Sequence, residues 1–233
     1  MIILGIIPAR GGSKGIRNKN LLKLQNKSLI EIAIKSSKKS KFLNRIIFSS
    51  DDNKLIKEAK KNSAEILFKR PKKYSTDKAS SFSVMRHAVK FFEKKEKKKI
   101  DIAVLLQPTT PFRTSEHIDE VIRLLLIKKL DASMSIKKPN YPPYWMMKMK
   151  KNYLKNILKK GNTYFTRQST PEVFQPSGMV YALKRSTLFK IKKMLPNKKT
   201  GGVIVNQDRG INIDSLNDYY LAKILSKKFL KYK

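Results

Sequence analysis

The residues best suited to chemistry crowd the first twenty positions, MIILGIIPARGGSKGIRNKN, where Arg10, Lys14, Arg17 and Lys19 surround Gly11, Gly12 and Gly15. Arginine grips phosphate oxygens through paired N–H bonds, and lysine brings a mobile point charge. Glycine permits positive φ and lets the backbone come close to a ligand. Successive N–H groups in such a turn make a nest for anions. The chemistry this predicts is polyphosphate binding. The spacing is neither the GxxxxGK[ST] of a Walker loop nor the GxGxxG of a dinucleotide fingerprint, and a flexible glycine turn with incidental lysines is the plainer alternative. Farther along, Gln107 and Arg113 stand in QPTTPFR, a turn stiffened by two prolines. Arg113 reads as a tether for that loop, and Gln107 as the side chain free to face a ligand. Arg70 opens another loop, RPKKYSTD.

These residues need elements to hold them. Ile2 to Ile7 is an apolar run cut off by Pro8, a buried strand feeding the glycine loop. Ser28 to Lys39 reads as a helix, with Ser28 as cap and Glu31 closing a capping box. Arg45 to Ser50 and Ala64 to Phe68 read as short strands, and Asp51 or Asp52 caps a helix from Asn53 to Lys61. Ser75, Thr76 and Asp77 are helix starters ahead of an apolar stripe at Phe82, Met85, Ala88, Val89 and Phe92. His87 inside that helix reads as a packed core or surface residue, and no catalytic role is assigned to it. Asp101 to Gln107 is apolar enough for a central strand. The pattern continues with a helix at Ser115 to Lys129 and strands at Asp131 to Ile136 and Ser177 to Leu183. A helix at Arg185 to Lys193, a strand at Val203 to Asn206 and a terminal helix at Leu216 to Leu230 follow. Asp214 or Ser215 would cap that last helix. Alternating strands and helices argue for a mostly parallel sheet covered on both faces. Ligands of such sheets sit at the carboxyl ends of the strands.

One stretch breaks the pattern. KPNYPPYWMMKMKKNYLKNILKK, 138–160, follows neither period. A long irregular segment in a compact domain is usually functional or an interface. Tyr141, Tyr144, Trp145, Met146 and Met147 are too apolar for a free loop. They read as an arm that packs on a second protomer, with packing inside the chain as the alternative.

At 233 residues and 40% apolar content the chain suits one α/β domain, taken as 1–233 with 138–175 as the arm. It has no Cys, which excludes disulfides, thiolate metal sites and a Cys nucleophile, and suits a reducing cytoplasm. The apolar start is too short for a signal segment and lacks a basic flank. No run is long enough to cross a membrane. The net charge of +36 would ordinarily suggest nucleic acid. The lysines are spread evenly, however, and only ten of the 53 basic residues are Arg. No zinc-finger or RNP pattern is present. A Lys-, Ile- and Asn-heavy composition reads as coding bias, and the expectation is no specific nucleic-acid partner and no membrane.

The run IIPARGGSKGIRNKNL resembles the nucleotide loop of the acylneuraminate cytidylyltransferases, the CMP-sialic acid synthetases and their relatives for bacterial nonulosonic acids. RP…TD.ASS…HA matches a segment of that family. QPTTPFR is close to its QPTSPLR, RQ followed by PE and SGMVY to its RQ..PE.Y..NGAIY, and Asn212-Ile213-Asp214 to its DID. Together these cover nearly the whole chain. The resemblance implies a three-layer, nucleotide-diphospho-sugar-transferase-like (Rossmann-like) α/β domain with a dimerisation arm. It implies transfer of CMP from CTP to the anomeric hydroxyl of a nonulosonic acid, with release of pyrophosphate. By resemblance, Ala9, Arg10, Gly11, Gly12, Ser13, Lys14, Lys19, Asn20, Arg70 and Ser81 contact the nucleotide. Gln107 and Arg167 meet the sugar, and Arg10 and Lys14 stabilise the departing pyrophosphate. Asp214 and Asn212 hold Mg²⁺ (or Mn²⁺), Asp214 as the main ligand and Asn212 as a weaker one without charge, with Asp208 the nearby residue that could compensate. Ser177 replaces the family's Asn and loses its amide. The implied partners are CTP, an acidic sugar and a second copy of the chain. Legionaminic, pseudaminic or another acidic sugar is the alternative substrate. A basic nucleic-acid-binding protein or an inactive nucleotide-binding homologue is the more distant alternative.

Overall fold

The computed structural model describes residues 1–12, 15–159, 163–191 and 199–230. The apolar run after Met1 forms β1 (Ile3–Pro8), and its side chains alternate between two cores. Ile3 and Ile7 enter one cluster, Leu4 and Ile6 the other. Two tiny strands, β2 (Lys23–Leu24) and β3 (Lys27–Ser28), pair ahead of α1 (Leu29–Lys38). Ser28 Oγ caps α1 by accepting from Glu31 N–H at 3.0 Å, but the Glu31 carboxylate turns to Lys35, so the predicted box is half formed. β4 (Arg45–Ser49) leads to α2 (Asn53–Lys61), which Asp52 caps through Lys54 and Leu55 N–H.

The next three elements are α3 (Ser81–Glu96), β5 (Ile102–Leu105) and α4 (Ser115–Ile127). β6 (Ala132–Lys137), the arm hairpin β7 (Met147–Lys150) and β8 (Tyr153–Asn156), and β9 (Gln175–Lys184) follow. α5 (Arg185–Lys190), β10 (Thr200–Ile204) and α6 (Leu216–Phe229) complete the described chain.

The main sheet runs β10-β6-β9-β5-β1-β4. β9 is antiparallel to both neighbours, and the remaining pairs are parallel. α1, α2 and α4 bury Ile34, Leu55 and Val121 against one face. α3 and α5 bury Met85 and Leu188 against the other. This is the three-layer arrangement expected. α6 closes a third cluster around Leu29, Phe112 and Ile213. No helix among the described residues is long and apolar enough to cross a membrane.

β10 lies at Thr200–Ile204 where the sequence predicts a strand at Val203 to Asn206, and α5 ends at Lys190, the expected end at Lys193 lying outside the described residues. Three further elements differ in kind. Ala64 to Phe68 is not a ladder strand: one bridge joins Glu65 to Ile47, and the segment then bends so that Arg70 N–H reaches Ser50 O at 2.7 Å. α3 begins at Ser81 with Ser80 as cap, later than Ser75 to Asp77 promised. Those three residues are held by other partners: Ser75 accepts from Arg70 Nε, and Asp77 pairs with Arg10. The arm is not wholly irregular, because Met147 to Asn156 folds as a two-stranded hairpin.

Candidate nucleotide site

The sheet doubles back at β1, with β4 on one side and β5 on the other. Loops leaving the carboxyl ends at such a point flank a crevice. Here the crevice is a cavity of about 360 Å³ lined by Ala9, Arg10 and Gly15 after β1, Lys19 and Asn20 in the following turn, Gln107 and Thr109 after β5, and Asn212 and Asp214 before α6. That size lies within the range of small-molecule sites. An adjoining lobe of about 240 Å³ shares Pro8, Arg10 and Gln107 and adds Arg70, Tyr74, Asp77 and Ser81.

Local bonds hold these side chains in place. Buried Asn20 donates from Nδ2 to Arg10 O at 3.2 Å, tying the turn to the glycine loop. Ile213 N–H donates to Thr109 O at 2.9 Å, clipping the Asn212–Asp214 segment to the β5 loop. Arg70 is buried and donates from Nη2 to Ala9 O at 2.8 Å. Burial pulls its guanidinium below the ordinary arginine value, with Asp51 opposing that pull. Arg113 tethers its loop as expected, donating from Nη1 to Gln107 O at 2.8 Å and Met179 O at 3.0 Å.

The glycines act by close approach. A Cβ on Gly15 would lie 2.6 Å from Asp214 O, and one on Gly11 would lie 2.5 Å from Asp52 Oδ2. The glycine at positive φ among the described residues is Gly178, not one of the loop. Gly11 N–H donates to Asp51 Oδ1 at 3.3 Å. The loop cations also face carboxylates: Arg10 to Asp77 at 2.6 Å and Lys19 to Asp214 at 2.8 Å. Such half-exposed pairs are worth little and exchange readily for a stronger anion. Sequence spacing does not single out Asp77 as Arg10's partner, since the two meet across 66 intervening residues only after folding.

Most predicted residues therefore come together: Ala9, Arg10, Lys19, Asn20, Gln107, Asn212 and Asp214 in one lobe, Arg70 and Ser81 in the other. Ser13 and Lys14 lie outside the described residues. Arg167 stands apart on the arm, where Nη2 donates to Asn140 O at 3.0 Å and the residue is exposed. Ser177 points into the sheet, its Oγ donating to Ser135 Oγ at 2.7 Å, so it does not replace an amide facing a sugar. Asp208 does not reach the cavity either; it sits 3.9 Å from Lys228. Ser215, not Asp214, caps α6, with Asp218 completing the box. Asp214 is thereby free of a structural duty at the helix start.

Asn212 Nδ2 donates to Asp214 Oδ2 at 2.5 Å, while Asn212 Oδ1 is buried without a hydrogen-bond partner. An orphaned carbonyl oxygen beside a carboxylate is a donor pair suited to a hard cation. No group of three or more His, Cys, Asp or Glu able to hold a metal occurs among the described residues. A cation here would complete its shell with water and ligand oxygens, as Mg²⁺ commonly does.

Fold and cavity together define an α/β domain of nucleotidyltransferase type. The chain belongs to the cytidylyltransferase family, whose sequence profile matches residues 4–199. It is 30% identical over 227 residues to the N-acylneuraminate cytidylyltransferase of Escherichia coli, covering 97% of this chain and 52% of that protein. The chain thus spans about half the length of that relative. It is 28% identical over 224 residues to the CMP-N,N'-diacetyllegionaminic acid synthase of Campylobacter jejuni, covering 96% of this chain and 94% of that one. Among solved structures, CMP:2-keto-3-deoxy-manno-octonic acid synthetase complexed with CTP matches with a TM-score of 0.72 at 14% identity, over 98% of this chain and 99% of that chain. That last likeness is one of fold.

Proposed function

We propose that this chain transfers CMP from CTP to the anomeric hydroxyl of a nonulosonic acid of the sialic type and releases pyrophosphate. The observation that carries the reading is the meeting of the basic glycine loop, Gln107 and the Asn212–Asp214 pair in one cavity of a cytidylyltransferase-family chain. The two relatives described above are named for sugars of this kind. Legionaminic or pseudaminic acid is the alternative substrate.

The anomeric hydroxyl oxygen attacks the α-phosphorus and gives up its proton to water, and the bond from that phosphorus to the bridging oxygen of the departing pyrophosphate breaks. Positioning and charge neutralisation supply most of such catalysis. Arg10 exchanges Asp77 for phosphate oxygens and, with Lys14, meets the charge growing on pyrophosphate. Lys19 and Asn20 hold the loop against the nucleotide. Arg70 braces the floor under Ala9, and Ser81 faces the second lobe. Gln107 orients the sugar. Asp214 and Asn212 would hold Mg²⁺, which supplies Lewis-acid polarisation of the phosphate when bound.

The arm supports a homodimer. Met147, Met149 and Leu154 share one hairpin face, by the Met149–Leu154 pairing, and are 52%, 73% and 66% exposed. Arg167 lies on this exposed arm away from its own cavity, and in the proposed dimer it would meet the sugar in a partner's cavity. The enzyme works in the cytoplasm, where CTP is made.

Pyrophosphate release tests the reading. CTP with Mg²⁺ is offered N-acetylneuraminic, legionaminic, pseudaminic and deoxy-octulosonic acids, with ATP, GTP and UTP as controls. Release with CTP and one nonulosonic acid is the expected result. Silence across the panel with CTP still bound would point to the inactive homologue instead.

A further inference from the structure

A second cavity, of about 640 Å³, opens where the C-terminal half of α1, the start of α4 and the end of α6 meet, and shares no lining residue with the nucleotide lobes. Ile32 and Phe229 give it an apolar floor, and Lys35, Lys38 and Lys39 a basic rim. Arg113 is part of its wall. That residue is only 3% exposed. Its Nη1 serves the loop, but Nε and Nη2 are buried with no hydrogen-bond partner. Burial alone, with no carboxylate opposing it, pulls the guanidinium down to about 9. A buried cation with unused donors is costly, and such groups in folded proteins generally have a partner, protein or not. The rim adds charge that is only partly compensated, with Lys38 donating to Asn62 O at 3.2 Å. Lys35 has Glu31, whereas Lys39 has no acidic partner among the described residues. Lys27, also at the rim, is held below the ordinary lysine value by burial and then by Lys35 and Lys39, with Glu31 opposing. The one carboxylate on the wall, Glu116, is turned to Thr114, its own N–H and Ser115 Oγ, the last at 3.1 Å.

We propose that this cavity is a second anion site, taking a small organic phosphate whose apolar part rests on Ile32 and Phe229 and whose phosphate faces Arg113 and the lysine rim. Arg113 is then a positioning residue as well as a ligand. Its Nη1 holds Gln107 O, and Gln107 lines the nucleotide cavity. Filling the second site leaves that bond in place, so the two sites are occupied independently.

The test is calorimetric titration of phenyl phosphate into the whole chain, alone and with CTP saturating, alongside a CTP titration that reports the nucleotide site separately. A binding event insensitive to CTP is expected, with inorganic phosphate binding the same site more weakly. The double substitution Lys35→Gln, Lys39→Gln should weaken that event about tenfold and leave CTP affinity unchanged. The remote exposed pair Lys94→Gln, Lys95→Gln should leave it unchanged. Absence of a CTP-insensitive event overturns the site. So does its survival in the rim variant, or equal weakening by the remote pair, which would mean diffuse attraction to a +36 chain.

Discussion

Asn212 is the residue at which this site is electrostatically weakest. Its orphaned Oδ1 offers a cation an oxygen but no charge, and the one carboxylate beside it, Asp214, is also paired with Lys19. Affinity for hard cations rises with the number of charged ligands. Asn212→Asp is therefore expected to tighten Mn²⁺ or Mg²⁺ binding roughly tenfold, read by calorimetry in the presence of CTP. Unchanged metal affinity would place the cation elsewhere. Gly15 sits at a second sensitive point, with a Cβ there 2.6 Å from a backbone oxygen of Asp214. Backbone cannot yield as a flexible side chain can. Gly15→Ala should lower kcat/KM roughly 10- to 100-fold by displacing the loop from Asp214, while the melting temperature barely moves because Gly15 is exposed. Wild-type kinetics in this variant would free the loop from any geometric duty. Arg10 and Gln107 stand out in the sequence because each closes an apolar run at the carboxyl end of a strand, whereas Lys19 and Asp214 are assigned through the family resemblance; the fold brings all four to one cavity. Asp77 as Arg10's partner, and the seclusion of Arg167, were not legible, since both depend on how distant loops cross.

Elements were read well wherever hydrophobic period and cap agreed. α2 runs from Asn53 to Lys61 as the Asp52 cap and its apolar spacing require. The failures share a cause: a tertiary bond outweighed a local preference. Ser75 and Asp77 carry strong helix-start signals, yet Arg70 and Arg10 hold them in a loop. The Ala64 to Phe68 run has strand composition, but a single bridge is all that β4 offers it. Between elements, Glu93 shows the clearest electrostatic bond. It accepts from Arg185 at 2.6 and 2.9 Å and from Ile100 N–H, locking α3 to α5 and to the entry of β5. Burial alone would raise its carboxyl, but these bonds hold it below the ordinary glutamate value. The folded carboxyl thus titrates lower than the unfolded one. Its stabilisation is complete above the unfolded value and is lost as pH falls through the folded one. Glu93→Gln should cost about 1–2 kcal/mol near neutrality. It should cost progressively less as pH drops below about 4, followed by urea melts across pH 2 to 7. A penalty that stays constant with pH would show that the charge contributes nothing.

For the whole molecule the arm poses the main question. An isolated two-stranded hairpin is marginal in water and needs a covered apolar face. β7 and β8 pair as Met147 with Asn156, Lys148 with Lys155, Met149 with Leu154 and Lys150 with Tyr153. The period of two therefore sorts Met147, Met149, Leu154 and Asn156 to one face and Lys148, Lys150, Tyr153 and Lys155 to the other. The lysine face is suited to water, and the methionine face is not. Aperiodic at first sight, the stretch hid this pattern because each strand is only four residues long. A second copy of the chain is the covering partner that the proposed dimer provides. Met149→Asp with Leu154→Asp places two charges on that face while leaving the α/β core untouched. Sedimentation velocity should show the variant as monomer where the parent is dimer, with the core's melting transition kept. Turnover should fall with dissociation and return at high protein concentration, because Arg167 would then reach a partner's cavity again. A variant that remains dimeric would move the interface off the hairpin, and a monomer with full activity would confine Arg167 to its own chain.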